Sequence, residues 1–270
     1  MDSKIIALDL DGTLLNNESK LSTRSKEVIH SLTEKGHQVV ITTGRPYRMA
    51  KEYYKELGLS TPMINFNGSL THIPGEKWAH EHSRTIDKKY LLDMVAREKE
   101  IEADFIASEY RNKFFIRHRD ASRVDPFLFG VESLPKGSAF ERQKVTSDPN
   151  AILLQTRAAD KDVLAEEMNA YYQDELSINT WGGPLNILEV SPRGVNKAYA
   201  LKYLLDVTGR DAKDLIAFGD EQNDREMLAF AGTGFAMRNC NPVLLEYADR
   251  QTQWTNQEDG VARTLEELLL

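Results

Sequence analysis

Cysteine is nearly missing from this chain: Cys240 is the only one in 270 residues. A single thiol cannot close an intrachain disulfide, so the fold must rest on its core, and a reducing, cytoplasmic setting is the simplest expectation. Positive charge is in deficit, with 34 Lys and Arg against 42 Asp and Glu and a formal net charge of -8. That balance disfavours nonspecific nucleic-acid binding, which needs a basic face. No apolar run approaches the roughly 18 residues that suggest a membrane span. The opening "MDSK" lacks the cationic start and apolar stretch of a secretory signal. Six scattered histidines do not group with cysteine as a zinc site requires. Internal repeats and low-complexity tracts are absent as well.

What is present is the composition of a packed soluble protein, 41% hydrophobic and 28% charged, long enough for one large domain or two ordinary ones. The first third alternates element types. "IIAL" reads as a strand buried on both faces, and "STRSKEVIHSLTEKG" as a helix with a Ser/Thr start and a glycine end. "HQVVITTGRP" reads as a second buried strand, Tyr47–Leu57 as a second helix and "PMINFNGS" as a third strand. This order predicts a parallel sheet with helices on both faces, with ligands bound beyond the carboxyl ends of the strands. From about Ser83 to Pro184 the pattern changes to mixed strands and helices, with an irregular stretch between Asp120 and Pro149. The last third returns to the first grammar, with "DLIAFGDEQND" as a buried strand ending in acids, and "DREMLAFAG", "VLLEYAD" and "EDGVARTLEELLL" as helices. One α/β domain, split in sequence by an α+β insertion, is therefore expected.

The first strand runs directly into Asp9 and Asp11. Alternate residues of a strand face the same way, so the two carboxylates are expected to meet and repel; either the pair faces open water at a loop, or it holds a cation. Three further polar clusters follow strands or open helices: Thr43, Gly44 and Arg45; Lys197; and Asp220, Asn223 and Asp224. Carboxylates at strand ends form a hard-oxygen set suited to magnesium. A hydroxyl, a glycine turn with exposed N–H groups and a lysine suit a phosphate. Each cluster alone has an ordinary reading, as a solvated turn, a common loop or a surface lysine. Together they fit phosphoryl transfer, where catalysis is positioning and charge neutralisation.

"DLDGTLL", "ITTGR", "NKAYAL" preceded by "RGV", and "GDEQND" resemble, in order, the four motifs of the haloacid dehalogenase-like phosphatases. The long insert, "NFNGS" and "GFAMRNCNPVLLEYAD" resemble the Cof-type (IIB) subfamily. The resemblance implies a Rossmann-like α/β core with a parallel sheet (residues 1–82 and 185–270) and an inserted α+β cap of the C2 type (83–184). It implies a magnesium-dependent phosphatase of small phosphorylated metabolites, such as sugar phosphates, nucleotides or cofactor phosphates. Asp9 would form an aspartyl-phosphate, and Asp11 would act as acid and then base. Magnesium would lie on Asp9, the Asp11 carbonyl and Asp220, with Asp224 beside them. Leu10, through its N–H, with Thr43, Gly44, Lys197 and Asn223 would hold the phosphoryl group. Arg45, Asn67 and Asn239 are candidate substrate contacts, and Arg111, Arg117, His118, Arg119 and Trp181 are candidates within the cap. Hinges for a lid are expected at Thr71–His82 and Gly182–Asn186. The expected partner is a small phosphorylated metabolite, with no nucleic acid and no membrane, in a monomer or homodimer. A non-enzymatic phosphometabolite sensor and a sugar phosphomutase are the alternatives. "AMRNC" departs from the family's usual "AMGNA"; Arg238 is expected in solvent and Cys240 as a small packed side chain.

Overall fold

A computed structural model describes residues 3–173, 175–182 and 185–270. Along the chain lie β1 (Ile5–Leu8), α1 (Thr23–Glu34), β2 (Gln38–Ile41), α2 (Tyr47–Glu56), β3 (Met63–Asn65), β4 (Leu70–His72) and β5 (His82–Ser83). Next come α3 (Lys88–Ala96), β6 (Ala103–Glu109), β7 (Phe114–His118), β8 (Ala151–Thr156), α4 (Lys161–Tyr171), β9 (Leu176–Thr180) and β10 (Ile187–Pro192). The chain closes with α5 (Lys197–Thr208), β11 (Leu215–Gly219), α6 (Arg225–Phe230), β12 (Thr233–Ala236), β13 (Arg250–Gln251) and α7 (Gly260–Leu269). Two compact units result. The first holds the chain up to Arg45, Ala50–His82 and Asn196–Leu270; the second holds Pro46–Met49 and Ser83–Val195.

The first unit is built on a five-stranded sheet in the order β13-β12-β11-β1-β2, every pair parallel. β1 is apolar and buried at every position, as a central parallel strand must be. Its register with β11 (Leu8 opposite Phe218) and with β2 (Leu8 opposite Ile41) brings three carboxyl ends level. Helix α1 starts where the Ser22 hydroxyl accepts the Ser25 N–H at 2.9 Å, buries Val28, Ile29 and Leu32, and is followed by Gly36 at φ +85°. Helix α5 starts where the Asn196 side chain accepts the Tyr199 N–H at 2.8 Å. Its Leu201, Leu204 and Leu205 pack with Ile5, Ala7 and Ala217 of the sheet. Among the described residues no helix is long and apolar enough to cross a membrane.

Two expectations fail in this unit. The third strand was expected to extend the parallel sheet, but β3 touches it by a single bridge, Thr42 to Ile64, and then turns back into an antiparallel hairpin with β4. Phe66, Asn67 and Gly68 all take positive φ and reverse the chain there. "VLLEYAD" was expected to be a helix, yet only a short 3₁₀ turn forms over Pro242–Glu246. Leu244 is its one buried residue, so no apolar stripe anchors a longer helix.

The second unit carries an antiparallel sheet in the order β7-β6-β8-β10-β9. Helices α3 and α4 contribute Leu91, Met94, Leu164 and Met168 to its core. Residues 185–195, expected with the first unit, belong here because Ile187–Pro192 is hydrogen-bonded between β8 and β9. The irregular stretch contains only short 3₁₀ turns, but Phe129 is fully buried and stacks on Phe114, ring centroids 4.9 Å apart. Arg117 pairs with Glu98 at 2.8 and 2.9 Å, and the Trp181 indole N–H donates to Glu189 at 3.0 Å. The second expected hinge includes Gly183 and Pro184, which lie outside the described residues.

Candidate active site

The polar residues beyond the aligned strand ends are held by the sheet itself. The Asp9 N–H donates to the Phe218 carbonyl (3.2 Å) and the Thr42 N–H to that of Leu8 (2.8 Å). The chain then leaves β1 through one wide turn over Leu10–Leu14, with Gly12 at φ +70°. A Cβ at Gly12 would collide with the Asp220 carboxylate, so glycine is needed there twice, for its backbone and for its missing side chain.

At the centre is Lys197, the first residue of α5, with no exposed surface. Its ammonium donates to Asp9 Oδ1 at 2.7 Å and to Asp224 Oδ1 at 2.6 Å. The other oxygen of Asp224 accepts the N–H groups of Asp220 (3.0 Å) and Glu221 (3.2 Å). Both Asp224 oxygens are therefore taken, which makes this residue a brace for Lys197 and for the turn after β11. Asp220 accepts the Thr13 hydroxyl at 2.9 Å. Carboxylate oxygens of Asp9, Asp220 and Asp224 lie within 4.8 Å of one another.

Burial pushes the Asp9 carboxyl well above the ordinary carboxylate range; Lys197 opposes this, while Asp224, Asp220 and, least, Asp11 add to it. Burial and then the Asp224 charge push Asp220 up to about 7. Burial alone would lower the Lys197 ammonium, but Asp224 and Asp9 more than offset it and hold it above the ordinary lysine value. One cation thus faces three acids. The excess negative charge and the all-oxygen donor set fit a hard divalent cation, with Asp9 and Asp220 better placed to reach it than Asp224.

Asp11 does not join this cluster. The expectation that it faces Asp9 fails because β1 ends at Leu8, and the two-residue alternation of a strand does not continue through the turn. Its half-exposed carboxylate instead takes two hydrogen bonds from Arg45, from Nε at 2.6 Å and from Nη2 at 2.5 Å. Thr43 is buried. Its N–H donates to Ile64 and its hydroxyl accepts the Arg45 N–H at 3.1 Å. Asn67 sits at φ +52°, with its N–H on the Thr43 carbonyl and its side-chain oxygen accepting the Asn223 amide at 3.0 Å. A Cβ at Gly44 would lie 3.2 Å from that Asn67 amide. Asn239 bridges the Gly12 carbonyl (2.8 Å) and the Asn256 N–H (2.9 Å), so its amide braces the first turn. Leu10 is buried in that turn, and Arg238 is exposed.

Four residues escaped sequence reasoning. Thr13 lies in "DGT" but was given no role, although its hydroxyl holds Asp220. Asn65 and His72 are polar residues within apolar strands, a signal that marks them only as unusual. Phe66 at φ +52° carries backbone strain with no sequence signature.

Lys197→Met tests the central contact. It leaves the Asp9 and Asp224 carboxylates buried without their cation, a loss of about 3–5 kcal/mol. The melting temperature of the variant should drop at neutral pH and recover partly on acidification, because protonation of Asp9 removes the unpaired charge. A variant melting like the parent at neutral pH contradicts this account.

The sequence matches the haloacid dehalogenase-like hydrolase family over residues 6–265. It is 34% identical over 268 residues to the 5-amino-6-(5-phospho-D-ribitylamino)uracil phosphatase YitU of Bacillus subtilis, covering 97% of this chain and 96% of that one. It is 31% identical over 272 residues to YcsE of the same organism, which carries the same activity name, covering 100% and 97%. In three dimensions it is similar to a haloacid dehalogenase-like hydrolase from Bacteroides thetaiotaomicron, with TM-score 0.85, 25% identity and 99% and 100% of the two chains covered. The fold is also that of TM0651 from Thermotoga maritima (TM-score 0.81, 24% identity, 98% and 97% covered). With its strand-end acids and buried lysine carried on that fold, this chain belongs to the haloacid dehalogenase-like hydrolases.

Proposed function

We propose that the chain is a magnesium-dependent phosphatase that hydrolyses monoesters of small phosphorylated metabolites through an aspartyl-phosphate. The observation that carries this reading is the buried contact of Lys197 with Asp9. It occupies Oδ1 and leaves Oδ2 of the same carboxylate as the attacking oxygen. Oδ2 of Asp9 bonds to phosphorus as the ester oxygen leaves, and Asp11 gives that oxygen a proton. Asp11 then takes a proton from water, which attacks phosphorus and releases phosphate and free Asp9. Lys197, Thr43, Asn223 and the backbone N–H groups of Leu10 and Gly44 hold the phosphoryl oxygens. Asp9, the Asp11 carbonyl and Asp220 would hold magnesium, with Asp224 behind them. When bound, the ion neutralises charge on the phosphoryl group and among the acids. The second unit acts as the cap that selects the leaving group, and the core comprises the first unit.

The likeness to two full-length relatives named for the same substrate supports a phosphorylated sugar alcohol joined to a pyrimidine as the first compound to assay. Phosphate release should be measured on that compound, on hexose phosphates, on nucleotides and on p-nitrophenyl phosphate, with and without magnesium. Asp9→Asn should abolish release, and Asp11→Asn should slow it by about 10²–10⁴. If parent and Asp9→Asn were equally inert across the panel, a phosphometabolite sensor would be the better account. Turnover of hexose phosphates without net phosphate release would point to a mutase.

Magnesium binding carries a pH signature. With its pKa at about 7, Asp220 must lose a proton to bind the ion, so affinity measured by calorimetry should rise as pH passes upward through that value. In the metal-free protein the raised pKa means that the folded state holds this proton more tightly than the unfolded state. Its contribution is present below the ordinary value of 3.8 and is lost as pH climbs to about 7. Magnesium should therefore raise the melting temperature more above neutral pH than below it. Asp220→Ala should weaken binding sharply; unchanged affinity in that variant contradicts the ligand set.

A further inference from the structure

Asn65 and His72 are 0% and 2% exposed, and the catalytic scheme uses neither. They stand diagonally on one face of the β3–β4 hairpin, where Met63 is opposite His72 and Asn65 opposite Leu70. Burying an amide and an imidazole costs stability unless their polar atoms are matched. The Asn65 Nδ2 donates to the Arg45 carbonyl at 2.9 Å, and its Oδ1 lies 3.0 Å from His72 Nε2. A carbonyl only accepts, so the amide orientation is settled at that end. Oδ1 must then accept from His72, which carries its proton on Nε2. The Arg45 main chain is gripped on both sides: its N–H by the Thr43 hydroxyl, its carbonyl by Asn65 and by the Phe66 N–H at 3.4 Å. From this fixed point the Arg45 side chain, 19% exposed, reaches Asp11, which is 55% exposed. A half-exposed carboxylate on a turn has no packing to orient it. Its place is set by the arginine, whose main chain is held by the hairpin and whose guanidinium also lies 5.5 Å from the centre of the Tyr53 ring.

We propose that the buried His72–Asn65 pair is a positioning device, which fixes the Arg45 main chain so that the guanidinium holds Asp11 where it exchanges protons with substrate. This rests on the reading of Asp11 as acid and base. His72→Leu removes the donor to Asn65, whereas His72→Gln returns an amide N–H near the place of Nε2. The expected result is a fall in kcat of about 10–100-fold for His72→Leu, the scale of a small misplacement of a catalytic group, with most of it recovered in His72→Gln. KM should change by less than about threefold, since phosphate binding is left intact. In an Asp11→Asn background His72→Leu should cost less than about threefold further, because the residue it positions is already disabled. An unchanged kcat, an equal loss in both backgrounds, or a His72→Gln variant that melts like the parent but is as slow as His72→Leu would overturn the proposal. Should His72→Leu not fold, Asn65→Asp keeps the shape but puts an acceptor against the Arg45 carbonyl, and the same kinetic comparison applies. A crystal structure of Asn65→Asp decides without activity: Arg45 displaced from Asp11 supports the device, and an unmoved pair refutes it. Full activity in Asp11→Asn alone, or a parent inert on all esters, sinks the catalytic reading instead and leaves the crystal structure to judge the hairpin.

Discussion

The site depends on one buried ammonium. Lys197 joins Asp9, 188 residues earlier, to Asp224, 27 residues later, with no exposed surface of its own. A charge in that position is tolerated only when its hydrogen bonds are matched, and here two short charge-assisted bonds do so. The contact also explains why α5 begins where it does. The Asn196 cap sets the first turn, and the first helical residue then points its ammonium to the ends of β1 and β11. Separate stretches of chain share one electrostatic centre, and each alone would leave a buried charge unmatched.

Two aspartates one residue apart in sequence receive opposite environments. Burial, with the neighbouring acids, raises the Asp9 pKa against the opposing pull of Lys197, which bonds to one of its two oxygens. Asp11 lies outside, half-exposed and on Arg45. The wide turn over Leu10–Leu14, with Gly12 pressed against Asp220, separates them. The end of one strand thus carries one carboxylate into a buried, charged cluster and leaves the other near solvent.

Much of the architecture was legible because its physics is local. β1, β2 and β11 are apolar runs ended by polar residues, and α1, α3, α4 and α5 carry capping residues at their starts. The failures share a cause as well. β3 turns back from the parallel sheet through positive φ at Phe66, which no propensity predicts, and Ile187–Pro192 joined the antiparallel sheet through partners 32 to 38 residues away in β8 and 8 to 16 away in β9. The Pro242–Glu246 turn has helix-forming residues but only one buried side chain. Local preference yielded each time to what the neighbours offered.

By itself the chain determined which chemistry was available: paired acids after a buried strand, a threonine-glycine turn, a lysine at a helix start and an acidic loop. Residue type and short-range spacing carry that information. Tertiary structure decided which of these groups touch. It put Lys197 between Asp9 and Asp224, gave Asp11 to Arg45, turned Asn239 into a brace and set His72 and Asn65 behind the arginine. Those pairings follow from strand register and backbone reversal, which bring together residues whose separation in sequence says nothing of their distance.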